Sequence, residues 1–201
     1  MAVQARSPVH VSAPAQEPAV ESPRLVTGED LFKMGDIGRA ELVKGVIVHM
    51  SPTGYLHGLI EGKFFAKLLA FVEQQSLGRV LVGEVGIYMA RHPDTVRGAD
   101  VAFISNEGLA KVRSSSYLDV APELVVEILS PDDRWSDLME KLGEYFDVGV
   151  LVVWLADLRK RSVYVYRSLT DVQHLTVGDV LSGGEILPGF SVPVAELFEG
   201  T

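Results

Sequence analysis

The run Leu124-Val-Val-Glu-Ile-Leu constrains this chain more than any other feature. Five of its six residues are aliphatic, too few for a helix and well suited to a central strand covered on both faces. Alternation places Glu127 on the face shared by Val125 and Leu129. A carboxylate at such a position costs several kcal/mol unless it is paired, protonated or bound to metal. The fold must therefore layer helices on a sheet around this strand and bring a partner to the acid. That partner is either a core-edge Arg or Lys, or a cation shared with a second acid.

The flanking patterns supply the layers. Apolar residues recur at helical spacing from Leu56 through Ile60, Phe64 and Leu68 to Val72, predicting a long helix over 55–75 that Gly78 stops. Thr27 reads as an N-cap with Asp30 in the first turn. Lys44-Gly45 reads as a tight turn between two β-rich pieces. Further strands are expected over 80–89, 99–104, 150–156 and 162–166, with a hairpin through Asp157-Leu-Arg-Lys-Arg and short strands over 172–177 and 185–187. Ser130-Pro131 reads as an N-cap and N1 pair that turns the chain into a second helix, closed by Gly149. The expected fold class is α/β, or α+β-like: a mixed sheet flanked by helices.

Several further residues carry chemistry. Asp100 opens the strand Gly98-Ala-Asp-Val-Ala-Phe-Ile and could face Glu127 if the two strands are neighbours. Two carboxylates that close repel unless a cation lies between them. Oxygen ligands select a hard ion, Mg2+ or Mn2+, and Glu41 heads a β segment that could complete the shell. Lys141 borders the apolar stripe Leu138, Leu142, Tyr145. It reads either as an i,i+4 partner of Asp137 or as an ammonium reaching toward Glu127. His57 and Ser130 are accessory candidates.

Composition narrows the classes. The 201 residues contain no Cys, which excludes disulfides, thiolate metal sites and a cysteine nucleophile. There are 18 basic and 27 acidic residues, net −9, so a broad phosphate-neutralising surface is not expected. No stretch approaches the roughly 18 apolar residues of a membrane span, and a cytoplasmic location is the default expectation. Residues 1–24 hold four prolines and no aromatic, and are expected to form a disordered tail before a domain over 25–198. No serine-hydrolase spacing, P-loop or dinucleotide fingerprint is present.

In their order, Arg39-Ala-Glu-Leu-Val-Lys-Gly-Val-Ile-Val-His-Met-Ser-Pro, His57, Gly98-Ala-Asp-Val-Ala-Phe, Pro122-Glu-Leu-Val-Val-Glu-Ile-Leu-Ser-Pro-Asp-Asp and the stretch 141–154 resemble the Uma2 (Uma-two) family. That is a bacterial group of restriction-endonuclease-like domains in the PD-(D/E)XK nuclease superfamily. The resemblance implies a restriction-endonuclease-like core and a metal-dependent endonuclease that hydrolyses phosphodiesters, DNA more than RNA. It implies that Asp100 matches the Asp of the PD motif and Glu127 the acid of (D/E)XK, with Glu41 as the early acid. Leu129 stands where the motif lysine is expected, and Lys141 on the next helix takes its place. Ala99 replaces the motif proline, and Val152-Val153-Trp154 replaces the family's E-Y-W.

Two other readings compete. One is an inactive nuclease-fold module that binds protein or nucleic acid; the other is a hydrolase of a small phosphorylated metabolite. Edge strands near the C-terminal hairpin also make a homo-oligomer a reading to test.

Overall fold

The computed structural model describes residues 25–130 and 133–201. The expected tail over 1–24 lies outside them. In chain order the elements are α1 (Gly28–Lys33), β1 (Ala40–Val43), β2 (Val46–His49), α2 (Tyr55–Gln75), β3 (Gly78–Ala90), β4 (Thr95–Ser105) and α3 (Asn106–Leu109). They continue with β5 (Leu124–Leu129), α4 (Trp135–Val148), β6 (Val152–Asp157), β7 (Ser162–Tyr166), β8 (Val172–Leu175), β9 (Val180–Ser182), β10 (Ser191–Pro193) and α5 (Val194–Leu197).

Eight strands form one mixed sheet, with β9 and β10 pairing separately. β5 and β6 are parallel and joined through α4, whereas the other pairs in the sheet are antiparallel. Alternation sorts the strand residues between two apolar layers. On one face Leu124, Val126, Ile128, Trp154 and Ala156 pack with Ile60, Phe64, Leu68 and Val72 of α2. On the other, Val125, Val153 and Leu155 pack with Leu138, Leu142 and Tyr145 of α4. The aliphatic run of β5 is thus covered on both sides, as its composition requires.

Local signals act as expected at most boundaries. Thr27 and Asp30 form a reciprocal capping box. Lys44 and Gly45 both take positive φ, 50° and 79°, which matches the mirror-image turn that suits the twist of a two-residue hairpin. Gly149, at φ 105°, caps α4.

Three expectations are corrected. Ser76, not Gly78, closes α2 in the left-handed conformation. Gly78 instead opens β3, where a Cβ would sit 2.1 Å from the Ile104 carbonyl oxygen; close strand approach is the reason for glycine there. Residues 185–187 form turns rather than a strand, and Val192 of β10 pairs with β9. Ser130 caps no helix: α4 begins at Trp135 behind Arg134, and Ser130 N–H donates to Asp133 Oδ2 in a turn. Pro131 lies outside the described residues.

One topological detail sets up the site. β3 pairs along β4 from Thr95 to Ser105. β1 and β5 therefore share the other edge of β4, β1 at Val96 and β5 from Val101 to Phe103. Between those rungs lie residues 97–100, flanked by the start of β1 and the end of β5.

Candidate functional site

The gap in that edge gathers the acids that the sequence singles out. Continuing the Val101–Val126 register by one step sets Asp100 opposite Glu127. Glu41 arrives from β1. All three are buried. Side chains take over the rungs that the missing strand pairing leaves open. Gly98 N–H donates to Glu41 Oε1 at 2.9 Å, Lys141 Nζ donates to the Gly98 carbonyl at 2.8 Å, and Ile128 N–H donates to Asp100 Oδ2 at 2.7 Å. Each of these buried backbone groups is satisfied, and each side chain is fixed by it.

Lys141 decides between its two readings. It turns inward, 2.8 Å from Glu127 Oε2 and 3.4 Å from Glu41 Oε1, while Asp137 accepts from Ser136 instead. Tyr145, one turn further along α4, donates from its hydroxyl to Glu127 Oε1 at 2.6 Å. Arg97 bridges Glu41 Oε2 at 3.0 Å and Glu144 Oε2 at 2.5 Å. From the opposite face, His57 on α2 sets Nε2 3.0 Å from Asp100 Oδ1, with Nδ1 3.3 Å from Ser130 Oγ.

The electrostatics follow from one ammonium shared among several carboxylates. Burial would drive Lys141 toward neutrality, but Glu127, Glu41 and Asp100 outweigh it and raise its pKa, so it stays charged. Burial, assisted by the charge of Asp100, pushes Glu127 up to about 7 against the pull of Lys141 and Tyr145. Burial also acts on Glu41, yet Lys141, Arg97 and the Gly98 amide together hold it below the usual range. For His57, burial is outweighed by its bond to Asp100, and its pKa rises. Burial raises the Tyr145 hydroxyl far above its ordinary value, so it remains a donor.

Sequence reasoning missed two members. Glu61 lies four residues after His57, on the same face of α2. Burial and the nearby Asp100 raise its carboxyl against the smaller pulls of His57 and the Gly83 amide. His57, Glu61 and Asp100 each bring one ligand atom within 4.8 Å of the others, a grouping that Glu41 and Glu127 do not join among the described residues. The i,i+4 spacing of His57 and Glu61 was the available signal. Tyr145 was readable only as part of the apolar stripe, because a buried tyrosine and a buried leucine give the same period.

Five carboxylates (Glu41, Glu61, Asp100, Glu127, Glu144) thus face two permanent cations, Lys141 and Arg97, with Arg39 nearby already held by Glu84. That surplus of buried and half-buried carboxylates over cations, an oxygen-rich donor set, fits a hard divalent cation. The departure Val152-Val153 lies away from this surplus. Glu127 aligns with Leu155, three residues further along β6 than Val152, roughly 10 Å at strand rise.

Comparison with known proteins bears on both family and fold. The profile of the Uma2 family, described as "Putative restriction endonuclease", matches residues 29–195. The fold is similar to the crystal structure of "a putative nuclease belonging to DUF820" from Anabaena variabilis, with a TM-score of 0.72 over 86% of this chain and 97% of that one, at 17% sequence identity. No curated protein matches the chain.

Proposed function

Because the chain belongs to the Uma2 family, described as "Putative restriction endonuclease", we propose that it is a divalent-metal-dependent endonuclease hydrolysing phosphodiesters in nucleic acid, DNA rather than RNA. The observation that supports this most is the gap in the β4 edge, where Asp100 and Glu127 oppose each other beside one buried ammonium. A Mg2+ or Mn2+ ion held by Asp100 and Glu127 would polarise the scissile phosphate and lower the pKa of a bound water.

The chain's own groups have separable parts. Lys141 keeps its charge at neutral pH and places it at Glu127, where it orients the attacking water or offsets charge on the pentacovalent phosphorus. Glu41, with both oxygens taken up by Gly98, Arg97 and Lys141, fixes that ammonium in place and stands beside the two ion ligands. Tyr145 orients Glu127 by a short hydrogen bond. Ser130 sets the His57 ring through Nδ1.

The rival reading, binding without cutting, is favoured by the net charge of −9, which gives no general attraction to a polyanion. The two separate in a single-turnover assay on supercoiled and single-stranded DNA in Mg2+ or Mn2+. Cleavage that Glu127→Gln and Lys141→Ala each reduce by a hundredfold or more supports the endonuclease. Retention of DNA without strand scission supports the binding module, and cleavage confined to small phosphodiesters supports a metabolite hydrolase. Among the described residues no helix is long and apolar enough to cross a membrane. The main sheet ends at β2 and β8, which expose Val46, Val48 and Val172, and a homo-oligomer would use one of these edges.

A further inference from the structure

His57 and Asp100 are both buried and meet at the mouth of the gap in the β4 edge. Nε2 and Oδ1 are 3.0 Å apart, about the separation of two adjacent ligands on an octahedral ion with bonds near 2.1 Å. Glu61 brings a third ligand atom within 4.8 Å of both. Two of the three groups are also held from behind. Ser130 Oγ engages His57 Nδ1, and Ile128 N–H donates to Asp100 Oδ2.

Such outer contacts orient ligands toward a common point and leave one atom of each facing it. Gly83 belongs to an irregularity in β3, between Val82 and Val85, where Gly83 and Glu84 both take positive φ, 92° and 59°. The bulge brings the Gly83 amide near Glu61, where it favours the ionised carboxylate. Asp100 reaches this cluster with Oδ1, while its Oδ2 accepts from Ile128 N–H.

We propose that His57 Nε2, Glu61 and Asp100 Oδ1 form a cation position of their own, on the α2 side of the site, that takes Mn2+ in preference to Mg2+. An imidazole nitrogen is a poor ligand for Mg2+, which keeps to oxygen and water, and a good one for later divalent ions. The position shares Asp100 with the pair Asp100 and Glu127 but differs in its other ligands, His57 and Glu61, both supplied by α2. It does not depend on whether the chain cuts a phosphodiester.

The test is Mn2+ binding followed by electron paramagnetic resonance, with the spin-echo spectrum read for nitrogen coupling. The full chain is expected to show a nitrogen signature with Mn2+, and to bind Mn2+ at least tenfold more tightly than Mg2+. His57→Gln should abolish the signature, and Glu61→Gln should weaken Mn2+ binding about tenfold while keeping it. A wild-type spectrum without nitrogen coupling overturns the proposal, and it decides the matter even if a variant fails to fold. Mn2+ affinity within twofold of wild type in both variants also overturns it. Nitrogen coupling without any strand cleavage leaves this site standing and removes the endonuclease; cleavage without nitrogen coupling does the reverse.

Discussion

Lys141 and Glu127 meet across the sheet–helix boundary, Nζ to Oε2 at 2.8 Å, although they lie fourteen positions apart in sequence. The ammonium leaves the middle of α4, passes beside Tyr145 and lands at the end of β5, where it also meets Glu41 and donates to the Gly98 carbonyl. A lysine two positions after Glu127 would share its strand face; Leu129 stands there instead. The helix supplies the same charge at the same carboxylate from a different part of the chain.

Removal of that charge should destabilise the fold in a pH-dependent way. Lys141→Met leaves Glu127 and Glu41 buried without their shared cation, which costs about 3–5 kcal/mol where Glu127 is ionised, as at pH 9. Glu127 titrates near 7 even beside the ammonium and higher without it, so at pH 6 it takes up a proton and the cost should shrink. Urea denaturation of wild type and variant at the two pH values checks this.

Glu127 makes its own contribution to the stability profile. Its folded pKa, about 7, lies above the ordinary 4.5. The folded state therefore binds this proton more tightly than the unfolded chain does. Stability from this group is fully present below pH 4.5 and is lost as pH rises to about 7, a change of about 3 kcal/mol. Measured against Glu127→Gln, wild type should lose relative stability between pH 5 and 7.5 without divalent ions. Added Mn2+, which favours the ionised carboxylate, should reduce the loss.

Tyr145→Phe removes the 2.6 Å hydrogen bond to Glu127 Oε1 and nothing from the apolar stripe of α4. Stability should fall by about 1–2 kcal/mol. Because the lost bond favoured the ionised form, the acidic limb of a cleavage pH profile should move to higher pH. An unchanged limb would separate Tyr145 from the function of Glu127.

Much of this was legible in the chain, for identifiable reasons. The α2 pattern and the buried strand with its misplaced acid announce themselves because burial imposes a period on sequence, and α2 indeed spans Tyr55–Gln75. Lys141 was readable as one of two alternatives, since its spacing fits both a surface pair with Asp137 and an inward reach. The gap along β4 was not legible: it arises because β1 and β5 share an edge, a relation between segments far apart in the chain. Glu61 was hidden for the same reason. Its significance comes from Asp100 and Gly83, neither of which is near it in sequence. Gly78 was misread because a helix end and a close strand approach both call for glycine.

Gly78→Ala tests that close approach apart from the chemistry. A Cβ 2.1 Å from the Ile104 carbonyl oxygen forces β3 and β4 apart at their ends. The expected loss is about 1–3 kcal/mol of stability, read by thermal denaturation, with Mn2+ affinity unchanged.

The most direct measurement is the rate at which the full chain nicks supercoiled DNA in Mn2+, set against Asp100→Asn and against the wild type with chelator. Asp100 touches both His57 and β5 and is the acid common to both proposed cation positions. Ion-dependent nicking that falls at least a hundredfold in the folded variant is the predicted result. Equal rates for variant and wild type, or nicking that persists in chelator, would contradict the account.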